Sequence, residues 1–538
     1  VHPNETEHEQ FIFKRAMNKR GSIWQTEKTA VIQMKSLINP ALTAFLIFLT
    51  SCQSGRALFD PVKKYPSNTL KEDFTIFRKV LEKNHPGLYW FTPKDSMDYY
   101  FDSSYRSIRD SMTEPQFKNL LSYVTAKIDC GHTSVRYSKK FSHYLDTAKI
   151  KLFPFGIKAW EDTLVATINL NRWDSRIKRG SQILSIDAMP AQKLIDTFFE
   201  YTVTDAYSMT GKYQSISNGF NFGSLYTSLF GIKDSLDLVY YDDNGVEKQE
   251  WFKAYDQKSD SNQRFARINE KKDSLKTEKK SRNRQFQTRS IEIDTASSIA
   301  YMTLATFSNG NRLRKFFRKS FRTLDKRHIR NLIIDLRSNG GGDAGNSTLL
   351  TRYIIDKKFK LADSLYANNR HSNYDKYVGN IMFYRMLMVF LTKKEEDGKY
   401  HFGYFERHYF HPKSSHHYGG DVYLMTGGNS FSATTLFTGA IKGQKNVTIV
   451  GEETGGSYYG NNAWMIPDAT LPNTGIRFRL PLFHLVVDRN RIKDGHGVMP
   501  DVTVVPTLEA IKYSIDYKGQ KVLDLIRLKN ATGNALVR

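Results

Sequence analysis

The spacing of apolar residues changes along the chain, and each change predicts a different architecture. Leu70, Phe74, Phe77, Val80 and Leu81 recur at helical intervals, as do Phe117, Leu120, Leu121 and Val124. The second set follows Thr113-Glu114-Pro115, where Thr113 can cap and Pro115 can sit in the first turn. Residues 69–145 are therefore expected to form an N-terminal helical domain. Between Ile150 and Tyr255 the period shortens to alternation in Phe155–Trp160, Leu164–Ile168 and Leu236–Tyr241, which predicts a small β domain over 146–255. Residues 256–290 are polar and basic, with too few apolar side chains to offset the entropy of ordering, and read as a flexible linker.

From Ile291 strands and helices alternate. Ile299–Leu304, Leu332–Leu336, Val422–Met425 and Val447–Val450 read as strands. A basic helix is predicted from about Asn311 to Asp325, a second from Asn346, and a third over about Ala433–Ile441. Such alternation implies an α/β fold with a mainly parallel sheet over 291–510, followed by a tail at 511–538.

One further apolar run, Leu42–Leu49, is too short to span a bilayer comfortably. It follows Met34-Lys35 and ends in Leu49-Thr50-Ser51-Cys52, which resembles a bacterial lipobox. The expectation is a signal peptide at 34–51, a lipidated Cys52, a tether over 52–68, and an upstream extension at 1–33 with Met34 as the true start. Acyl chains on Cys52 would anchor the protein to a membrane. A buried helix with a chance cysteine is the competing reading.

The 538 residues suggest several domains, and 40% hydrophobic with 25% charged residues is ordinary for a globular protein. This composition excludes collagen, a wholly disordered chain and a polytopic membrane protein. Two cysteines cannot build a disulfide framework, and with Cys52 lipidated Cys130 has no intrachain partner. Its simplest role is that of a small buried residue. The net charge of +24 raises nucleic-acid binding as a possibility, but the charge is scattered and no helix-turn-helix, zinc or RNA-binding signature accompanies it.

Candidate chemistry collects where strands run into glycines. Asp335-Leu336-Arg337-Ser338-Asn339-Gly340-Gly341-Gly342 offers bare backbone N–H groups at a strand end, suited to an oxyanion or a phosphate. The Gly-Lys-Ser/Thr of a P-loop is missing. Thr426-Gly427-Gly428-Asn429-Ser430-Phe431-Ser432-Ala433 places serines at a strand–helix junction, where a hydroxyl can be a nucleophile or merely a cap. Ile449-Val450-Gly451-Glu452-Glu453-Thr454-Gly455-Gly456, Asp494-Gly495-His496-Gly497-Val498-Met499-Pro500-Asp501 and, far upstream, Asp129-Cys130-Gly131-His132-Thr133 complete the set.

The first four stretches, in this order, resemble the core of the tail-specific, or C-terminal processing, serine proteases, and the resemblance runs from about Leu70 to Thr507. It implies a crotonase-like spiral of ββα units, and a PDZ-like identity for 146–255, where Lys178-Arg179-Gly180-Ser181-Gln182-Ile183-Leu184-Ser185-Ile186-Asp187 is similar to a PDZ stretch but carries Ser181 in place of the usual aspartate. It places the nucleophile on Ser432, with Ser430 as competitor. The implied oxyanion donors are the N–H of Ala433 and one in the Gly340–Gly341 turn. No cofactor or metal is implied.

Where this family's best-known branch has a lysine base, Ser457 stands, and no lysine occurs between Lys445 and Lys493. A serine hydroxyl needs a neighbouring base. The tricorn-core branch uses a histidine from a preceding domain, and His132 in Asp129-Cys130-Gly131-His132-Thr133 matches its motif. Imidazole is a suitable base near neutral pH. His484 and His496 compete. Asp494 matches the region of an acidic residue that orders the base through a serine, but Gly131 stands where that serine would be. The resemblance implies a lipid-anchored serine peptidase acting on proteins or peptides of the cell envelope. Retinoid-binding repeats resemble the same superfamily, so a binding protein on this scaffold is the alternative.

Overall fold

The computed structural model describes residues 59–261, 264–265 and 288–535. The leader at 1–33 and 34–51, Cys52 and most of the basic 256–290 segment lie outside the described residues. The fold is mixed α/β, and Asp60–Arg538 forms one compact unit. No described helix is long and apolar enough to cross a membrane.

The two helical periods become helices Ser67–Asn84 and Glu114–Ala126, with Lys94–Arg106 between them. At the start of Glu114–Ala126 the Gln116 side chain reaches back to accept from the Thr113 N–H at 2.8 Å, and Pro115 occupies the first turn. Leu70, Phe74, Phe77, Val80, Phe117, Leu121 and Val124 enter one core. That core is shared with Phe478, Leu480, Phe483 and Leu485 from far down the chain. The two parts are also stitched by backbone: Val135–Arg136 pairs antiparallel with Arg477–Arg479.

The alternating segment forms an antiparallel sheet in the order Glu247–Lys253, Ser235–Tyr241, Gln182–Ile186, Thr163–Asn169, Phe155–Trp160. Ser181 caps its own turn, its hydroxyl accepting from the Lys178 N–H at 3.0 Å. Helix Ala191–Phe199 buries Leu194, Ile195 and Phe198 against this sheet.

The third part is a six-stranded sheet in the order Arg289–Asp294, Ile299–Leu304, Asn331–Asp335, Asp421–Thr426, Val447–Gly451, Val502–Thr503, parallel except for its first pair. Helices Leu313–Lys326, Ala344–Ile354 and Ala433–Ile441 cover one face. The expected tail at 511–538 instead contains helix Tyr517–Ala535, whose Val522 and Ile526 are buried against Tyr423, Met425 and Val450. An insertion after helix Ala344–Ile354, without regular periodicity, adds strands Ser364–Ala367 and Tyr400–His401 and helix Ile381–Leu391 to a second sheet with Phe483–Val486 and Gly460–Ala463.

Candidate active site

Strand Asp421–Thr426 ends in a turn that launches helix Ala433–Ile441, and Ser432 is the helix N-cap. Its φ of 57° and ψ of −122° are costly for a residue with a Cβ, by about 1–3 kcal/mol, and persist only where surrounding structure imposes them. The imposition is visible. The Phe431 N–H donates to the Asn339 carbonyl at 3.2 Å, and Gly341, at φ +93°, lies so close that a Cβ there would sit 2.8 Å from the Ser432 Cβ. The glycine run is thus needed for close approach to the serine turn. Ser430, the competing nucleophile, is fully buried. Its Oγ donates to the Leu336 carbonyl at 2.9 Å and accepts from the Gly427 N–H at 3.2 Å, so it is a turn-building hydroxyl.

His132 arrives from the N-terminal helical part, in the turn after helix Glu114–Ala126. Its Nε2 lies 3.0 Å from the Ser432 Oγ. Its ring packs on Phe431 with centroids 4.6 Å apart, and Gly131 makes room for that ring, since a Cβ there would meet Phe431 at 2.7 Å. On the far side of the imidazole, Nδ1 is 3.5 Å from Oδ1 of Asp205, whose side chain is 2% exposed. The same Oδ1 accepts from the Gly131 N–H at 2.8 Å. Asp205 is carried by the segment between helices Ala191–Phe199 and Met209–Ser217. This segment is pinned by the Ala206 N–H to the Asp129 carbonyl at 2.9 Å and by the Ser208 Oγ to the Thr454 carbonyl at 3.1 Å.

The structure does not bring Asp494 to the histidine. Asp494 is exposed and its carboxylate accepts from the His496 N–H at 2.9 Å, closing its own turn. The buried carboxylate at Nδ1 comes instead from the β part of the chain, where neither period nor motif marked it. The other histidines are otherwise engaged. His484 is buried, donates from Nδ1 to the Asn462 Oδ1 at 2.7 Å, and burial pushes its pKa down to about 3. His496 is exposed and faces Glu453. His85 lies buried behind the site, bonded to the Thr133 Oγ1 at 2.8 Å, with its pKa pushed down to about 3 by burial and then by His132.

Cys130 is buried, and burial followed by the Asp205 charge pushes its thiol up to about 12. It accepts from the Thr133 Oγ1 at 3.2 Å, as a small core residue does. Cys130, His132 and Asp205 could between them offer three ligand atoms to a cation, these lying within 4.8 Å of one another. The high thiol pKa and the engagement of Nε2 with Ser432 suit a proton relay better than a thiolate site.

Two backbone amides of these turns have no acceptor among the described residues. The Ala433 N–H opens helix Ala433–Ile441 and has no protein acceptor among the described residues. Of the two glycine amides, that of Gly341 is given to the Asn339 Oδ1 at 3.0 Å, which leaves Gly340 as the open one. An alcohol, an imidazole, a buried carboxylate and free amides at a helix N-terminus can together support acyl transfer.

Residues 298–504 match the family model described as Peptidase family S41. No curated protein matches the chain in sequence. Among solved structures, mature CPAF complexed with lactacystin is similar at 14% identity and a TM-score of 0.57, over 86% of this chain and 98% of that one. A CPAF mutant is similar at 13% identity and a TM-score of 0.59, over the same shares. The photosystem II D1 C-terminal processing protease follows at 13% identity and a TM-score of 0.38, over 83% of this chain and 98% of that one. The CPAF likeness extends the common fold across the parts that flank the matched domain. Residues 298–504 are thus a Peptidase family S41 domain, the part of the chain that carries serine peptidase chemistry.

Proposed function

We propose that this serine peptidase is an endopeptidase of envelope or exported proteins that uses Ser432 as nucleophile and His132 as general base. The observation that carries the reading is the 3.0 Å approach of Nε2 to Oγ by residues 300 positions apart. Ser432 attacks the peptide carbonyl while Nε2 takes its proton. The carbonyl oxygen, now an anion, is held by the Ala433 N–H and the open Gly340 N–H. His132 returns the proton to the departing amine, and water, deprotonated by the same nitrogen, releases the acyl group. Asp205 steadies the imidazolium formed in each half-reaction. The catalytic domain is read as crotonase-like and the 146–255 sheet as PDZ-like. Lipidation at Cys52 would hold the enzyme at a membrane.

A fluorophosphonate probe tests the assignment. Covalent labelling of the wild type that is lost in Ser432→Ala, and slowed by about 10³-fold or more in His132→Ala, is expected. Labelling that survives Ser432→Ala would move the nucleophile elsewhere. An unlabelled wild type that takes up apolar ligands would favour a binding protein.

A further inference from the structure

The insertion after helix Ala344–Ile354 carries helix Ile381–Leu391, and this helix is packed the wrong way round for water. Its one charged residue, Arg385, points inward. The guanidinium is buried and holds the Asp375 carboxylate at 2.6 Å and the Asn84 Oδ1 at 3.0 Å. That pairing fixes the rotation of the helix. Ile381 and Met388 are buried with Arg385, so Met382, Phe383, Met386, Val389 and Phe390 face solvent. The five fall at i, i+1, i+4, i+7 and i+8, which is a single stripe along one side of a helix. Met382 is 78% and Phe390 79% exposed. Scattered exposed apolar residues need no partner, but a continuous apolar stripe marks an interaction site. Cations stand at both ends of it. Lys376 precedes the helix, Lys393 and Lys394 follow it, and all three are exposed and make no ion pair among the described residues. The next acids in sequence, Glu395, Glu396 and Asp397, fall in the hairpin turn beyond the two lysines, where Asp397 is held by His401 at 3.1 Å.

We propose that helix Ile381–Leu391 lies in the headgroup region of an anionic lipid bilayer, with the stripe from Met382 to Phe390 immersed and Lys376, Lys393 and Lys394 on the lipid phosphates. An apolar face bounded by lysines is how a short helix binds in the plane of a bilayer, because burial of the stripe and attraction to anionic lipid add. At 11 residues the helix is far too short to span the hydrocarbon and lies along the surface. A second copy of the chain is the poorer occupant. Packing the stripe on itself about a twofold axis brings Lys376 of one copy to Lys393 and Lys394 of the other, or each end to its own twin. The helix has no acid to offset that repulsion. Lipid phosphates neutralise both ends at once. The net charge of +24 adds attraction at longer range toward the same surface. The inference does not rest on acylation of Cys52. The helix also lies outside the elements that carry Ser432, His132 and Asp205, so binding is separable from turnover.

The test is co-sedimentation of the full chain with vesicles, in a background carrying Cys52→Ser, Phe45→Asp and Phe48→Asp, so that neither an acyl chain nor the Leu42–Leu49 run holds it to lipid. Saturable binding to vesicles of equal parts phosphatidylglycerol and phosphatidylcholine is expected. Adding Phe383→Ser and Phe390→Ser should weaken it at least tenfold. Adding Lys393→Glu and Lys394→Glu instead should also weaken it at least tenfold at low salt, toward the level seen on phosphatidylcholine alone. A polarity-sensitive fluorophore on Phe390→Cys should shift to the blue when the anionic vesicles are added, and the same label on the exposed Glu247→Cys should not. All four substituted side chains are exposed, so both pairs should leave the melting temperature and the hydrolysis of a short soluble peptide unchanged. No binding to the anionic vesicles, or binding indifferent to the two serine substitutions, overturns the proposal. Binding equally tight on phosphatidylcholine alone, or unmoved by the lysine reversals, overturns the anionic surface as the partner. A concentration-dependent dimer in sedimentation velocity, abolished by Phe383→Ser with Phe390→Ser while vesicles are ignored, reassigns the face to a second copy and equally overturns it. None of the binding readouts requires catalysis, so their failure is distinct from failure of the Ser432–His132 assignment.

Discussion

At the scale of single residues, the Asp205 carboxylate lies 3.5 Å from His132 Nδ1, and on the proposed reading it sets how the base is presented. An aspartate there favours the tautomer that leaves Nε2 free to accept the serine proton. Asp205→Asn keeps the oxygen for the Gly131 N–H but removes the charge. It should lower kcat by about 10²–10⁴ with little change in KM, and thermal melting should stay near wild type. Asp129, three residues before His132, shows the reverse economy. Burial pushes its carboxyl up to about 6, against the opposing pull of Lys212, Thr92 and Lys127. A raised carboxyl means that the folded state holds its proton more tightly than the unfolded chain. Its contribution to stability is fully present below about pH 4 and is lost as pH rises through about 6. Asp129→Asn, tolerated at its φ of 53°, should therefore match wild type in melts at pH 4 and exceed it by up to roughly 2 kcal/mol at pH 8. Asp205 had no visible signature in the sequence. A lone aspartate in a polar loop gains meaning only from the chain that folds over it. The histidine and serine, by contrast, stood in glycine-marked turns whose backbone requirements show in the residues themselves.

Among elements, the pairing of Val135–Arg136 with Arg477–Arg479 is the joint that fixes the position of the His132 turn. Phe478, in the middle of that joint, is fully buried and meets Phe77 edge-on at 5.0 Å. Phe478→Ala should reduce unfolding free energy by about 3–5 kcal/mol in urea titrations. Long periodic segments were the most readable elements. The helix expected from about Asn311 to Asp325 spans Leu313–Lys326, and the strand expected over Val447–Val450 spans Val447–Gly451. The insertion after Ile354 was not readable, because its strands are two to four residues long and take their order from the Phe483–Val486 strand, not from local pattern. Helix Tyr517–Ala535 escaped for a related reason. Its apolar contact with the sheet runs through Val522, Ile526 and the partly buried Leu525, too narrow a stripe to stand out.

Across the whole molecule, that last helix closes the second face of the catalytic sheet. Arg337, from the Asp335-Leu336-Arg337 stretch, holds the Asp335 carboxylate at 2.7 Å and that of Asp516 at 2.9 Å. The Lys518 ammonium donates to the Thr426 carbonyl at 3.1 Å and pairs with Glu452. The arginine of the motif is thus a clasp on the C-terminal helix. Ile526→Asp would place a charge against Tyr423, Met425 and Val450. It should expose that face, seen as increased binding of a hydrophobic dye and loss of the cooperative melt.

The distance in sequence between the imidazole and the alcohol carries a consequence for biosynthesis. During synthesis the histidine emerges hundreds of residues before the serine, and the helix that clasps the sheet emerges after both. On the proposed assignment, a chain released before Ser432 holds a base with nothing to activate. Proteolytic chemistry is then withheld until helix Tyr517–Ala535 can close the sheet, a safeguard for the machinery that makes the protein.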